Sequence, residues 1–376
     1  MPDRLAPGKI RDAIVNHLED YADASLKELQ HAVRAQIECE VPESSVRSYL
    51  RLNTPRLFVR TGRGRYALQG SLEQLDLHPP VAQPALKLGG AELYSGDCTE
   101  WLRGRQPNSV HAVVTDPPYG LVEYEPEQQQ KMRTGRGGVW RIPPAFDGHK
   151  RAPLPRFTTL KPEELRRLDT FFHVWAKALL PVLVPGAHVF VASNPLLSYI
   201  VASAITRAGL ERRGEVIRLV MTMRGGDKPK NAHEEFSGVS VMPRSMWEPW
   251  LLFRKPIEGR VQDNLRKWKT GGLRRVSPDQ PFGDVIQSNP TRAAERSIAP
   301  HPSLKPQAFL RRVVRAALPL GEGVVLDPFA GSGSTLAAAE AVGYSSIGVE
   351  IDPNYVDVAR VAIPKLAALC VVDQSR

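Results

Sequence analysis

Beyond residue 89 the chain alternates short apolar segments with longer amphipathic ones, and this alternation constrains its fold more than any other feature. The short segments are rich in Val, Ile and Leu and predict buried strands: AELYSG, SVHAVVT, GAHVFVAS, GEVIRLVMT, SMWEPWLLFRK, VVLD and SSIGVEID. The longer ones predict helices: PEELRRLDTFFHVWAKALLP, LLSYIVASAITRAGL, PQAFLRRVVRAAL and STLAAAEA. Such alternation predicts a doubly wound α/β sheet. We expect this domain to span residues 89–365, with a tail over 366–376.

Two stretches depart from the alternation. Residues 121–158, which include EPEQQQKMRTGRGGVWR, and residues 255–300, which include RKWKTGGLRR, are polar, basic and contain glycine. Both are predicted to be long loops, and long loops inside a compact domain are usually functional or disordered.

Residues 1–68 predict a second, smaller unit, joined to the sheet by a proline-containing linker over 69–88. Three helical segments come first, KIRDAIVNHLEDY, SLKELQHAVRAQI and PESSVRSYLRLN. Ser25 and Glu28 form a capping-box pattern at the start of the second. The stretch RLFVRTGRGRYAL then predicts two strands around a basic turn.

Three helices followed by a hairpin predict a winged-helix-like unit. Arg47 and Arg51 would face outward on the third helix, and Arg63 and Arg65 would lie on the wing. These positions suit contacts with the major groove and with phosphates of DNA. The alternative is a basic, solvated helical unit that docks another protein.

Charge and cysteine content narrow the class of protein. The chain has 50 Lys and Arg against 40 Asp and Glu, for a formal net charge of +10, which favours a polyanionic partner such as nucleic acid, with an acidic membrane as the competing explanation. No apolar run is long enough to span a bilayer, and the N-terminus has no signal-peptide core. Cys39, Cys98 and Cys370 have neither metal-site nor disulfide spacing. We therefore expect a soluble cytoplasmic protein.

The segment VHAVVTDPPYG ends a predicted strand with an acid, two prolines and an aromatic residue. Proline cannot continue a strand ladder, so Pro117 and Pro118 end it and hold Asp116 and Tyr119 on a rigid turn. Taken alone, the segment is equally compatible with a structural turn capped by Asp116.

The segment VVLDPFAGSGSTLAAAEAVG predicts a strand, a glycine turn and a helix. Asp327 ends this strand, and Glu350 ends the next one. No Lys precedes Ser334, which disfavours a phosphate-binding P-loop, and an acid at the first turn disfavours the pyrophosphate of a dinucleotide. S-adenosylmethionine fits better, because Asp327 can meet its ammonium group and Glu350 its ribose hydroxyls.

Together, DPPYG and DPFAGSGST resemble the motifs of beta-class amino DNA methyltransferases, which act on N6 of adenine or N4 of cytosine. GDCTEWL at 96–102 and HPSLKP at 301–306 fit the same family pattern. The catalytic motif precedes the cofactor loop, which is the circularly permuted order of that class. The resemblance covers residues 89–362 and leaves out the N-terminal unit.

The resemblance implies a Rossmann-like methyltransferase sheet that binds S-adenosylmethionine and double-stranded DNA. The residues that would form the base pocket are Asp116, Pro117, Pro118 and Tyr119, with Trp247 or Trp250 on the other face of the base. Those that would hold the cofactor are Asp327, Phe329, Gly331, Gly333, Ser334 and Glu350, with His301 and Lys305 at its methionine end and Asp97 and Cys98 near its adenine ring.

The residues then suggest a mechanism. Asp116 and the carbonyl of Pro117 would accept the two N–H bonds of an exocyclic amino group, which localises the nitrogen lone pair for attack on the methyl group. The target base would have to be flipped out of the duplex and would stack on Tyr119. Residues 255–300 would read the target sequence, and residues 121–158 would close over the substrate.

Other functions are weaker. Cytosine C5 transfer needs a thiolate, usually in a Pro-Cys pair, and no cysteine here follows a proline. Related glutamine and RNA enzymes usually carry Asn in place of Asp116. N4-cytosine transfer, a non-enzymatic winged-helix regulator with a silent cofactor domain, and a nicotinamide-dependent oxidoreductase remain as alternatives to N6-adenine transfer. A homodimer, a cognate restriction nuclease in a restriction-modification system, and a bacterial nucleoid or phage origin are all left open.

Overall fold

The computed structural model describes residues 9–21, 23–37, 41–54, 57–62, 64–68, 83–118, 162–220, 228–229, 231–301 and 303–371. The chain divides into two compact units, Met1–Val81 and Ala82–Arg376. Residues 121–158, predicted to be a long loop, lie outside the described residues.

Within its described residues, the first unit contains three helices and three short strands. In chain order they are α1 (Lys9–Asp20), β1 (Ala24–Ser25), α2 (Leu26–Gln36), α3 (Glu43–Asn53), β2 (Phe58–Gly62) and β3 (Arg65–Leu68), and the strands form an antiparallel sheet in the order β1-β3-β2. The predicted capping box is confirmed: the Glu28 N–H donates to Ser25 Oγ, and the Ser25 N–H donates to the Glu28 carboxylate. The apolar faces of the helices meet in one core that includes Ile14, Leu29, Val46, Leu50 and Phe58.

The arginines of this unit differ in what they contact. Arg47 and Arg51 are exposed on α3 and make no ion pair with any residue the structure describes. Arg65 instead forms a two-pronged pair with Asp23, with Nε to Oδ2 at 2.7 Å and Nη2 to Oδ1 at 2.8 Å. Hydrogen bonds from Arg65 and then from Thr61 lower the pKa of Asp23 to about 2. The guanidinium of Arg65 therefore ties β3 to the residue before β1, and Arg63 lies outside the described residues.

The second unit is built on a mixed sheet. Its elements are β4 (Leu86–Leu88), β5 (Ala91–Ser95), α4 (Cys98–Arg103), β6 (Val110–Thr115), α5 (Pro162–Val182), β7 (Leu183–Ala192), α6 (Ser198–Arg207), β8 (Glu211–Leu219), β9 (Trp247–Arg254), α7 (Val261–Trp268), β10 (Val285–Gln287), α8 (Ala293–Ile298), α9 (Gln307–Ala317), β11 (Val324–Asp327), α10 (Ser334–Ala341), β12 (Ser345–Glu350) and α11 (Pro353–Ala367). The strand order is β10-β8-β9-β7-β6-β11-β12-β5-β4. Strands β7, β6, β11, β12 and β5 are parallel, whereas β9 and β4 are antiparallel to their neighbours. All seven predicted strands are present.

Helices cover both faces of this sheet, because its central strands are apolar on both sides. In β6, Val113 packs into a cluster with α5 and α6, whereas Ala112 and Val114 pack into a cluster with α9 and α10. Residues of β7 alternate in the same way, with Val189 on the first face and Phe190 on the second. This alternation explains why the central strands lack a polar side.

The neighbouring strands β6 and β11 form a topological switch point, because the chain leaves them toward opposite edges of the sheet. From β6 it continues to the adjacent β7, whereas from β11 it continues to the adjacent β12 on the opposite side. The carboxyl ends of two parallel strands that diverge in this way leave a crevice, which is where open α/β sheets bind ligands.

Three sequence expectations need correction. Residues 255–300 are not one long loop, since they contain α7, β10 and α8. Asn264 anchors this segment with polar bonds, accepting from the Glu258 N–H and donating to the carbonyls of Pro185 and Thr270. Residues 86–88 of the expected linker form an edge strand, and α11 continues to Ala367 inside the expected tail.

Candidate active site

Four acids lie where parallel strands end. Asp116 directly follows β6, Asp327 is the last residue of β11, Glu350 is the last residue of β12, and Asp97 follows β5 after one glycine. The Thr115 hydroxyl donates to Asp327 Oδ1 at 2.7 Å and so joins the ends of β6 and β11 across the crevice. The crevice therefore has a carboxylate on each of its walls.

Asp116 belongs to a chain of alternating charges. Its Oδ2 lies 2.6 Å from Lys305 Nζ, and the same Nζ lies 3.2 Å from Glu248 Oε1. Glu248 Oε2 in turn lies 2.9 Å from Arg218 Nη1. Burial lowers the pKa of Lys305, but Asp116 and Glu248 more than offset this and the pKa is raised. Lys305 is thus a charged ammonium held between two carboxylates.

The prolines after Asp116 close the end of the strand. Pro117 is buried and Pro118 is half-buried, and neither has an N–H to extend the ladder. Their rings hold the backbone that carries Asp116. Tyr119, the fourth residue predicted for the base pocket, lies outside the described residues.

The glycine loop after β11 is tightly fitted. The Gly331 N–H donates to Glu350 Oε2 at 2.7 Å, and the Phe329 N–H donates to Asp327 Oδ1 at 3.1 Å. Gly331 and Gly333 have φ angles of +50° and +81°. A Cβ on Gly333 would come within 2.5 Å of Ile363, so only glycine fits there.

The two acids beside this loop hold protons more readily than exposed acids do. Burial, partly offset by the Thr115 hydroxyl, raises the pKa of Asp327 to about 6. Burial also raises the pKa of Glu350, against N–H donors that include Asp352 and Gly331. A buried carboxylate of this kind gains most from a cationic or hydroxyl-bearing ligand.

His301 packs on the glycine loop as a neutral imidazole. Burial, with a smaller contribution from Lys305, lowers its pKa to about 4. Its Nδ1 accepts from the Ser303 N–H at 3.1 Å, so the ring proton is on Nε2. Nε2 would lie 3.1 Å from a Cβ on Gly331, and the ring meets Tyr355 edge-on at 4.5 Å. His301 thus closes one side of the loop.

The remaining residues of the predicted cofactor site have local roles as well. Asp97 caps α4 by accepting from the N–H groups of Thr99 and Glu100. Cys98 is buried in an apolar cluster, and burial, with a contribution from Asp97, raises the pKa of its thiol to about 12. Ser334 begins α10, and its carbonyl accepts from Gln307 at 2.9 Å.

Phe329 is half-buried between the loop and α5, with its ring 5.9 Å from Trp175. The space around Gly96, just after β5, is less crowded than that around Gly333, because a Cβ on Gly96 would meet no atom within 4 Å.

The two tryptophans of β9 have different environments. Trp250 is fully buried with its ring 5.1 Å from Phe309, so it is a core residue and the expectation that it could face a base is wrong. Trp247 is half-buried and lies opposite Leu219 in the antiparallel pair of β9 and β8. Because β9 is antiparallel to β7, Trp247 begins it at the same edge of the sheet that carries Asp116.

Sequence reasoning missed Arg218 and Glu248, although each is a charged residue inside a strand. Charged side chains are rarely buried without a partner, so a charge flanked by Trp247 and Trp250 in a strand was a detectable sign of an ion pair. Nothing in the sequence indicated which residue the partner would be.

The first part of residues 255–300 lies away from this site. Asn264 and Thr270 both bond the carbonyl of Pro185 at the start of β7, which is the edge opposite Asp116. The part after β10 returns to the edge of Asp116, where Arg218 donates to Ser288. Only this second part is placed to contribute to the site.

Fold and site together define an α/β protein with a ligand crevice at a switch point, lined by the acids that lie at the ends of its parallel strands. A family model described as DNA methylase, for N6 and N4 methyltransferases, matches residues 110–361, about two thirds of the chain. The chain belongs to this DNA methylase family, whose cofactor is S-adenosylmethionine and whose members methylate N6 of adenine or N4 of cytosine.

Individual proteins are more distantly similar. The type II methyltransferase M.HindIII of Haemophilus influenzae is 25% identical over 293 residues, covering 71% of this chain and 93% of that protein. The DNA adenine methyltransferase YhdJ of Escherichia coli is 36% identical over 126 residues, covering 30% of this chain and 42% of that protein. A DNA modification methylase of Thermus thermophilus complexed with S-adenosylmethionine superposes with a TM-score of 0.46 at 20% identity, covering 73% and 94% of the two chains.

No helix within the described ranges is long and apolar enough to cross a membrane.

The residues present fit the cofactor. The glycine loop permits close backbone approach, the buried Asp327 favours a cation, and Gly96 leaves open space beside Glu350.

Proposed function

We propose that this protein transfers a methyl group from S-adenosylmethionine to N6 of an adenine flipped out of double-stranded DNA. The observation that carries the proposal is that two carboxylates lie at the ends of neighbouring strands: Asp116, directly after β6, and Asp327, the last residue of β11, whose Oδ1 accepts from the hydroxyl of Thr115. Adenine is favoured by the DPPY segment and by the 36% identity to an enzyme described as a DNA adenine methyltransferase.

Asp327, Glu350 and the Gly331–Gly333 turn would hold the cofactor, with His301 against the turn. When bound, the cofactor supplies an electrophilic methyl group on a sulfonium. Asp327 as a carboxylate would neutralise a ligand ammonium, and Glu350 would accept from hydroxyls. Phe329 and Ser334 would line the cofactor side of the loop, and Asp97 and Cys98 would lie near the adenine ring of the cofactor.

Asp116 and the Pro117 carbonyl would accept the two N–H bonds of the amino group. Lys305 places a cation beside the Asp116 carboxylate and fixes its orientation through Oδ2. Acceptors that are already in place need no reorganisation as positive charge develops on the nitrogen, and such preorganisation is a large share of enzymatic rate enhancement. The buried Pro117 prevents the strand end from relaxing.

The DNA contacts of the proposal lie in two places. At the sheet, Tyr119 and Trp247 would take the faces of the flipped base. In the N-terminal unit, the three helices and the antiparallel hairpin support a winged-helix role, in which Arg47 and Arg51 would contact phosphates. Arg65 would stabilise the unit through its ion pair with Asp23.

The order of β6 before β11 supports the circularly permuted motif order.

The test is a nucleoside analysis. The protein is incubated with unmethylated genomic DNA and S-adenosylmethionine, and the DNA is digested and analysed by mass spectrometry. We expect N6-methyldeoxyadenosine. N4-methyldeoxycytidine would keep the mechanism and change the base, whereas no methylated nucleoside from protein that binds the cofactor would contradict DNA methylation.

The variant Asp116→Ala tests the role of this carboxylate in methyl transfer. We expect it to bind the cofactor and to lose methyl transfer by roughly 100-fold or more, because a preorganised acceptor is removed. Asp263→Ala removes an exposed acid that pairs with Arg266 on α7 and should leave the rate unchanged. Undiminished methylation by Asp116→Ala would disprove its role.

A further inference from the structure

Glu248 joins three separate parts of the second unit. Its Oε1 meets Lys305 Nζ at 3.2 Å, and its Oε2 meets Arg218 Nη1 at 2.9 Å and Trp250 Nε1 at 3.4 Å. The Arg218 and Glu248 side chains are only 7% and 11% exposed. A buried ion pair of this kind is costly to break, because the partner left behind keeps its charge without water.

Arg218 uses its other nitrogens on the segment that follows β10. Its Nε donates to Ser288 Oγ at 3.0 Å, and its Nη2 donates to the Asn289 carbonyl at 3.2 Å. Its guanidinium lies 5.3 Å from the centre of the Phe309 ring. Three partners in three directions match the planar fork of arginine, which a lysine ammonium cannot reproduce.

The same segment also holds the backbone on both sides of Lys305. The Thr291 hydroxyl donates to the Leu304 carbonyl at 2.5 Å. The buried Glu295 accepts from the Gln307 N–H at 2.7 Å through one oxygen and from the Arg292 N–H through the other. We name residues 288–295 the brace segment. It touches Arg218 at one end and the neighbours of Lys305 at the other.

We propose that Arg218 is a positioning residue that seats the brace segment against Glu248 and, through Glu248, fixes Lys305 on the catalytic Asp116. The inference rests on the proposed function and deepens it, because it makes the geometry of the methyl-transfer site depend on a segment that is distant from Asp116 in the sequence. Losing the fork frees Glu248 to move with Lys305, and displacements of about 1 Å at a reacting centre cost on the order of 100-fold in rate.

The first test is a conservative substitution. Arg218→Lys keeps the charge and loses the fork, and we expect kcat to fall roughly 10- to 100-fold while the Kd for S-adenosylmethionine changes less than about twofold. Arg212→Lys is the matched control, since Arg212 lies on the same strand, is exposed and pairs with Glu215. Equal kcat values for the two variants would overturn the inference.

Ser288→Ala is nearly isosteric and removes the hydroxyl that accepts from Arg218 Nε, and it should lower kcat several-fold without loss of folding.

A double-mutant cycle tells positioning from general support. If Arg218 acts through Glu248, the kcat losses of Arg218→Met and Glu248→Gln are not additive, and the double variant is no slower than the slower single one. The double variant also leaves the Asp116–Lys305 pair neutral as a whole, which favours its folding. Losses that multiply would overturn the inference.

A measurement without turnover separates this inference from the proposed function. Hydrogen exchange followed by mass spectrometry should show faster exchange at residues 303–309 in Arg218→Lys than in wild type, and no change in Arg212→Lys. Unchanged exchange there in Arg218→Lys would overturn the coupling. A wild-type protein that methylates no DNA would instead refute the proposed function, and the exchange comparison would still decide the coupling.

Discussion

Asp116 and Asp327 lie at the ends of neighbouring strands, yet their carboxylates have opposite kinds of partner. Asp116 lies 2.6 Å from the Lys305 ammonium. Asp327 accepts from neutral donors, the Thr115 hydroxyl and the Phe329 N–H, and has no cationic partner among the residues the structure describes. Burial therefore raises the pKa of Asp327 to about 6. One acid has a cationic partner from the protein, and the other is suited to become charged when a cationic ligand arrives.

This difference predicts a pH dependence of cofactor binding. An arriving cation favours ionised Asp327, so affinity for S-adenosylmethionine should fall as pH drops below about 6. Titration calorimetry between pH 5 and 8 measures it. Asp327→Asn should bind more weakly and lose most of this dependence. A wild-type affinity independent of pH would contradict the role of Asp327, because the dependence is a direct consequence of a raised pKa.

Folding stability should respond in the opposite direction. The pKa of Asp327 is higher in the folded than in the unfolded chain, so its stabilising contribution is complete below the unfolded value near 3.8 and is lost as pH rises through about 6. Cofactor affinity and this contribution to the free energy of unfolding thus change with opposite signs over the same interval, which separates a binding effect from partial unfolding.

At the scale of elements, the turn between β11 and α10 is constrained by contact as well as by backbone angle. Gly333 has φ +81°, and its added Cβ would meet Ile363 of α11 at 2.5 Å. Gly343, just after α10, has φ +79° but would meet nothing within 4 Å. The two glycines share a backbone conformation and differ in their surroundings.

Alanine at these two positions should therefore have unequal costs. Gly343→Ala carries only the left-handed backbone penalty, about 1–2 kcal/mol of unfolding free energy. Gly333→Ala adds overpacking against Ile363, about 1–3 kcal/mol more, and should also weaken cofactor binding. Urea denaturation of both variants measures the difference. Equal losses would mean that α11 moves aside without cost.

Elements that bury several apolar residues were predictable, and those anchored by polar groups were not. The segment STLAAAEA matches α10 from Ser334 to Ala341, because its small apolar residues are buried against neighbouring helices. Helix α7 was missed, since its single buried residue is the polar Asn264. Pattern analysis detects burial of apolar surface and is blind to a segment anchored by hydrogen bonds.

For the whole molecule, the ability to bind a polyanion depends on which of its basic side chains are free of ion pairs. The net charge of +10 does not say which arginines are available. In the N-terminal unit Arg11, Arg34 and Arg65 form ion pairs with acids, whereas the exposed Arg47 and Arg51 do not pair with any described residue. A polyanion would meet the second set at lower cost, because no ion pair must be broken first.

We therefore expect Arg47→Ala combined with Arg51→Ala to weaken DNA binding and to reduce the magnitude of the salt slope by about 2, roughly one for each lost phosphate contact. Arg11→Ala combined with Arg34→Ala removes the same charge from paired positions and should change the slope much less. Fluorescence anisotropy across a salt series measures both. Equal slopes in the two double variants would point to a protein partner for this unit.

The sequence by itself determined the α/β class, the ends of the central strands, the acids that follow them and the glycine turn, because these depend on residues adjacent in the chain. Only the tertiary structure decided which charges meet: Lys305 is 189 positions from Asp116, and Arg218 is 30 from Glu248. It also placed Trp250 in the core and Trp247 at the edge, and paired Arg65 with Asp23. Side-chain pairing across strands depends on the order and register of the sheet, and neither is set by local periodicity.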